Sequence, residues 1–164
     1  MYKFPRSVFI GGAGITKRIE IGGNAPVSIQ TMWKEGITGL TENSDALSLL
    51  IHRIEVLQSL GCDVLRFAVP DTESARALCL IAEKTTMPLV ADIHFDYRLA
   101  LECLKGNVAA IRINPGNIGS RERVEKVVNG CKEKGVAIRI GVNTGSLPKD
   151  LAEKVEAGSM ARSD

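Results

Sequence analysis

No stretch of about 18 consecutive apolar residues, the length a bilayer-spanning helix needs, occurs anywhere in the 164 residues. Met1 to Gly12 also lack the continuous apolar run of a secretory signal, so the expected compartment is the cytoplasm, with no membrane partner. Charge of one sign is missing as well. Lys and Arg number 21 against 19 Asp and Glu, and a net charge of +2 makes too weak a field to predict nucleic-acid binding. There is no CxxC pair and no histidine at ligand spacing: Cys62, Cys79, Cys103 and Cys131 follow one another at 17, 24 and 28 residues. Thiols so dispersed predict no metal site in this chain. Three of them fall on helical segments and read as small buried side chains in a reducing compartment.

What is present is enough apolar side chain for a core, 45% hydrophobic against 24% charged. It is arranged as short β-branched runs alternating with helix-length segments, the pattern of parallel strands buried on both faces. The runs are Val27 to Met32, Val64 to Val69, Leu89 to His94, Ala110 to Asn114 and Ala137 to Asn143. Between the first two, Leu47, Leu50, Ile51, Ile54 and Leu57 recur at helical steps, with capping side chains from Thr41 to Ser44 and a stop at Gly61. A second helix is predicted from Asp71 to about Thr86, and a third after Asp96 that ends near Gly106. A fourth follows Ser120, carries Val124, Val127, Val128 and Cys131 on one face, and ends at Gly135. Successive βα units without a hairpin among them predict a closed barrel or a doubly wound sheet. Before them, Val8 to Ile10 and Ile19 to Ile21 predict a small hairpin around Gly11 to Gly14, a cap of the kind that covers the bottom of barrels. The glycines there lack the spacing of a phosphate loop or dinucleotide fingerprint and read as a turn. The expected organisation is a hairpin cap over residues 1–26 and barrel units over 27–164.

Three of the runs place an arginine between apolar neighbours: Leu65-Arg66-Phe67, Ile111-Arg112-Ile113 and Ile138-Arg139-Ile140. A guanidinium in a buried strand costs several kcal/mol unless it is paired or reaches a wet cavity, so three cases ask for one cause. Side chains at i and i+2 share a face, which sets Arg112 with Asn114, Arg139 with Gly141 and Asn143, and Asp92 with His94. In a (β/α)8 barrel, inward polar residues near the strand C-termini reach the ligand. Asp92 is the one acid within the five runs. Three fixed cations against one carboxylate leave a surplus suited to a ligand with two phosphates, which Arg binds through a planar fork. The competing reading is a structural ion network inside the barrel. His94 reads equally as a functional group or as a hydrogen-bonded interior residue. His52, on the first helix, reads as structural or solvated. Asn114 to Gly119 reads as an ordinary βα turn or as a phosphate dock ahead of a helix.

Several of these stretches, in order, resemble one family. Leu89 to Ala100, with Asp92-Ile93-His94-Phe95-Asp96 at its centre, Ile111-Arg112-Ile113-Asn114-Pro115-Gly116-Asn117, and Ile138-Arg139-Ile140-Gly141-Val142-Asn143 are similar to consecutive signatures of 4-hydroxy-3-methylbut-2-enyl diphosphate synthases. Gly61-Cys62-Asp63, Arg66 to Asp71 and Ile21 through Met32 resemble them too, so the likeness runs from roughly Arg6 to Leu151. The resemblance implies a TIM barrel and an oxidoreductase of the non-mevalonate isoprenoid pathway. That enzyme reductively opens and dehydroxylates 2-C-methyl-D-erythritol 2,4-cyclodiphosphate, with electrons entering through a 4Fe-4S cluster from flavodoxin or ferredoxin. It further implies that Arg66, Arg112 and Arg139 hold the diphosphate, and that Asp92, His94, Asn114 and Asn143 line the same mouth. No catalytic residue is assigned. A dihydropteroate-synthase-like barrel, which takes a pyrophosphate-bearing substrate, is the neighbouring alternative.

The first βα loop departs from the family's usual Ser-Met and small polar residues: here Thr31-Met32-Trp33-Lys34-Glu35 follows Gln30, and no role carries over to it. A full barrel takes about 250 residues, so five units of eight are expected here. The family's cluster domain, with its cysteine and glutamate ligands, and the homodimer that closes the active site, are expected outside this chain. By itself the chain is expected to be an inactive, poorly soluble substrate-binding part. The reading of another class is a degenerate half-barrel that at most binds anions.

Overall fold

In the computed structural model, residues 5–142 and 153 are described. Two strands, β1 (Val8–Ile10) and β2 (Ile19–Ile21), form the antiparallel hairpin, with Val8 opposite Ile21. Its turn needs glycine at Gly11, whose φ of 72° is accompanied by a close approach of the Lys17 carbonyl to where a Cβ would stand. The other strands, β3 (Gln30–Met32), β4 (Val64–Ala68), β5 (Leu89–Ile93), β6 (Ala110–Ile113) and β7 (Ala137–Ile140), make one parallel sheet in chain order. A doubly wound sheet reverses its strand order at a switch point, whereas a barrel adds each strand beside the last. The unreversed order decides for the barrel.

Helices α1 (Ser44–Ser59), α2 (Thr72–Ala82), α3 (Tyr97–Cys103) and α5 (Arg121–Lys134) fill the predicted crossovers. Side chains of Asn43, Asp71 and Asp96 accept hydrogen bonds from the N–H groups of Ala46, Ser74 and Arg98, which satisfies donors left open in the first turn. Gly135 ends α5 in the left-handed region. The Asn114 to Gly119 stretch, read as a turn, holds a single helical turn, α4 (Pro115–Ile118), with proline at its start and Asn114 as its cap.

Two strand boundaries are corrected. Val27 to Ile29 are outside the first strand, with Val27 94% exposed. Pairing with β4 begins only at Gln30, because the Asp63 carboxylate takes the Ile29 N–H and the Ile29 carbonyl accepts from Asp63 and Val64. The last strand ends at Ile140, although the Gly141 N–H still reaches the Ile113 carbonyl at 2.9 Å. Asn143 lies outside the described residues.

The parity of the strands builds two cores. Leu65, Phe67, Leu89, Ala91, Ile93, Ile111 and Ile113 face the helices and meet Leu50, Ile54, Leu78, Ile81, Cys103 and Val127. Val64, Val90 and Ala110 face the opposite way and pack with Ile10 of the hairpin, with Ile19 and Ala137 at the edge of that cluster. These are the N-terminal positions of their strands, so the hairpin caps the bottom as predicted. Backbone hydrogen bonds from Gly11 to Ala109 and from Lys17 to Thr86 tie it there.

Candidate functional site

The inner face that begins apolar at Val64, Val90, Ala110 and Ala137 becomes polar two residues further along. Register places Asp92 of β5 beside Arg112 of β6, and Arg112 beside Arg139 of β7, in one row. Arg66 stands one level lower on β4, level with Met32 and Val90. With an apolar floor beneath it, this polar row has its open side toward the C-terminal ends of the strands, the ligand-binding end of a barrel.

Asp92 organises the row. Its side chain is 3% exposed, and its two oxygens are divided between two arginines. Arg112 Nη1 donates to Oδ1 at 3.0 Å, and Arg66 Nε lies 3.4 Å from Oδ2. Arg66 Nη2 also rests 3.3 Å from the Met32 sulfur, a weak acceptor that leaves the cation's charge in place. Arg66 Nε is itself buried and lacks a hydrogen bond of good geometry. Arg139 does not reach Asp92. It is exposed, and its Nη1 donates to Gln30 Oε1 at 2.7 Å, joining β7 to β3 across the concave side of the sheet. Below that bond, between sheet and hairpin, lies a cavity of about 840 Å³ lined by Val8, Ile10, Val64, Val90, Ala110 and Arg139.

The inner-face arginines meet the ion-network reading in part. Two do pair with an acid, as a structural network would, but they share the same one. The third pairs with a neutral amide. Three guanidiniums against one carboxylate leave a net surplus of two positive charges among these contacts.

The remaining candidates differ. Asn114 is buried at the top of β6, where its Oδ1 accepts from the Gly116 N–H at 3.1 Å while its Nδ2 is buried without a partner. Because Asn114 already occupies one N–H of α4, and α4 is a single turn, the amide of Asn114 is a better-defined donor than the helix start. His94 lies one residue past β5, exposed, with its ring beside Phe95 at 6.1 Å between centroids. No hydrogen bond joins it to Asp92 among the described residues, so its reading as an interior, hydrogen-bonded histidine is set aside.

Sequence reasoning assigned nothing to Gln30, Met32 or Gly141, all of which touch the arginines. Gln30 and Met32 share the inner-face parity of Arg66, and that parity was the available signal. The unusual first loop builds a structure of its own. Trp33 stacks on Phe67 at 5.7 Å, Arg53 lies over its ring at 4.5 Å, and Arg53 forks onto Glu35 at 2.6 and 2.7 Å. The Arg53 hydrogen bonds hold the Glu35 carboxyl below its usual range.

The four cysteines are free. Burial pushes the Cys131 thiol up to about 11 and the Cys103 thiol higher. Metal-binding thiolates need the reverse. Among the described residues, no group of three or more His, Cys, Asp and Glu side chains is placed to hold a metal ion. These residues do not fit an iron-sulfur cluster. Nor is any described helix long and apolar enough to cross a membrane.

A family model described as the GcpE TIM-barrel domain matches residues 14–163. Among curated proteins, the chain is 52% identical over 160 residues to 4-hydroxy-3-methylbut-2-en-1-yl diphosphate synthase (flavodoxin) of Treponema denticola, covering 98% of this chain and 40% of that protein. It is 54% identical to proteins of the same name from Treponema pallidum, over 93% of this chain and 36% of that one, and from Clostridium perfringens, over 83% and 37%. The chain thus spans about 40% or less of the length of these relatives.

Proposed function

The chain belongs to the GcpE TIM-barrel domain family, and from that premise we propose that it is the substrate-binding barrel part of a 4-hydroxy-3-methylbut-2-en-1-yl diphosphate synthase. The substrate in this reading is 2-C-methyl-D-erythritol 2,4-cyclodiphosphate. The observation that carries it is the single Asp92 carboxylate shared by Arg66 and Arg112, with Arg139 on the same face donating to the neutral Gln30 amide. A bridged diphosphate matches that surplus in charge, and guanidinium forks match its oxygens in geometry.

The chain's own residues bind and orient. Asp92 fixes two guanidiniums before the ligand arrives, so less ordering remains to be done on binding. The Nδ2 of Asn114 supplies a neutral donor above them, buried and without a partner. His94, exposed at the rim, is the proposed contact for the part of the substrate outside the diphosphate. Asn143 belongs to the same proposed set by its place in the sequence after β7. In the family's enzyme a 4Fe-4S cluster would relay, one at a time, the two electrons that the reduction takes from an external donor. Its ligands are assigned to residues beyond this chain, and the barrel's part is to present the bound ring in one orientation. Flavodoxin, printed in the relatives' names, is the proposed electron donor, and a homodimer the proposed assembly. The shared name of these relatives favours this substrate over that of a dihydropteroate-synthase-like barrel.

Calorimetric titration of the protein with the cyclic diphosphate tests the reading. Saturable binding that weakens at least about tenfold on Arg112→Met is expected for loss of one charge-assisted contact. Absence of binding, or binding indifferent to Arg112 and Arg139, would remove the proposal. Binding without turnover by the whole protein would favour the non-catalytic anion binder.

A further inference from the structure

Gly141 lies one residue beyond β7, and its N–H continues the ladder to Ile113. It has the inner-face parity of Arg139. A Cβ built on it would stand 2.7 Å from Arg112 Nε and 2.9 Å from Cζ, and nearer still to Nη2. Carbon cannot approach those atoms so closely. The Nε–Nη2 edge of the Arg112 guanidinium therefore points into the space beside the Gly141 backbone that only glycine leaves open. The same guanidinium is tied at its other side, through Nη1, to Asp92 Oδ1 at 3.0 Å. Its position is fixed between a carboxylate on one neighbouring strand and bare backbone on the other.

We propose that Gly141 is a positioning residue for the anion site: the absence of a side chain there leaves room for Arg112 in the orientation that bonds Asp92 through Nη1 and keeps its Nε–Nη2 fork open to a diphosphate. The φ of Gly141 is not in the left-handed region, so glycine is not required by backbone conformation. A methyl group at this position displaces Arg112 from Asp92 and with it the fork. This inference rests on the diphosphate reading for its ligand but not for its geometry.

Arg112→Lys keeps the charge and removes the fork for which Gly141 makes room, which makes it the control. Inorganic pyrophosphate is titrated into the full protein as wild type, Gly141→Ala, Arg112→Lys and the double variant. Gly141→Ala is expected to weaken binding about tenfold in the wild-type background and less than about twofold in the Arg112→Lys background, the signature of coupling between touching residues. Equal losses in both backgrounds overturn the proposal. If Gly141→Ala does not fold, the double variant is expected to fold, since the three atoms nearest the methyl all belong to that guanidinium; failure of both overturns it too. In ligand-free protein, the Arg112 side-chain Nε–H resonance is expected to move on Gly141→Ala, and an unmoved resonance counts against the proposal. Should wild type bind no pyrophosphate while that resonance moves, the diphosphate reading falls and the positioning role stands.

Discussion

Asp92 is one carboxylate placed to hold two cations apart from each other and from the apolar floor below. Changing it to Asn keeps its shape and removes the charge, leaving Arg66 and Arg112 to repel across a poorly solvated gap. Breaking a buried pair by neutralising one partner costs about 3–5 kcal/mol. The arginine side chains retain 26% and 19% exposure, which places Asp92→Asn toward the lower end, about 3 kcal/mol. An anion binds the folded state less tightly once the carboxylate that orients the two guanidiniums is gone, so it restores little of that loss. Thermal melts should therefore show a lowered midpoint that pyrophosphate raises less in Asp92→Asn than in wild type. A variant that melts with wild type would mean that the pairing carries no free energy.

At the scale of elements, the crossovers follow local chemistry. Helix α2 begins where the Asp71 carboxylate accepts from the Ser74 N–H at 2.7 Å, and it buries Ala75, Leu78, Ile81 and Ala82 against the sheet. The hydrogen bonds from Ser74 hold the Asp71 carboxyl below its usual range. A carboxyl lowered in the folded state contributes stability that is fully present above its unfolded value, near pH 4, and is lost as pH falls through the lower folded value. Asp71→Ala should cost about 1 kcal/mol at neutral pH, as capping losses do, and its difference from wild type should shrink in denaturant titrations as the medium is made more acid than about pH 4. A pH-independent difference would assign the cost to packing instead. The hairpin and the α1, α2, α3 and α5 crossovers were legible because caps, apolar spacing and glycine stops agree along each. Strand β3 was legible only in part. The apolar run from Val27 predicts six residues, and three are paired, because the Asp63 side chain and backbone occupy Ile29. That contact joins residues far apart in the chain and has no local signature.

For the whole molecule, the sheet is graded from its middle outward. Strand β5 is buried at every position between β4 and β6, whereas the inner-face residues of β3 are half-buried and β7 is exposed at its end. Local opening free energies follow burial and pairing. Hydrogen exchange should find the β5 amides slowest and those of β3 and β7 among the fastest of the sheet. Protection of β7 equal to that of β5 would show that its outer edge is covered in solution.

The sequence alone settled which faces the strands present. A period of two in backbone direction is a property of any extended chain, so each of Arg66, Asp92, Arg112 and Arg139 could be set on the face of its own strand opposite its apolar neighbours before any contact was known. It could not choose between a barrel and a doubly wound sheet, since both repeat the same βα unit; strand order, a relation among distant segments, made that choice. Nor could it show that Arg66 and Arg112 divide a single carboxylate while Arg139 turns to Gln30, or that Gly141 leaves open the space into which Arg112 points. Those outcomes depend on register and on distances of a few ångströms between strands, which the folded sheet fixes and local periodicity leaves undetermined.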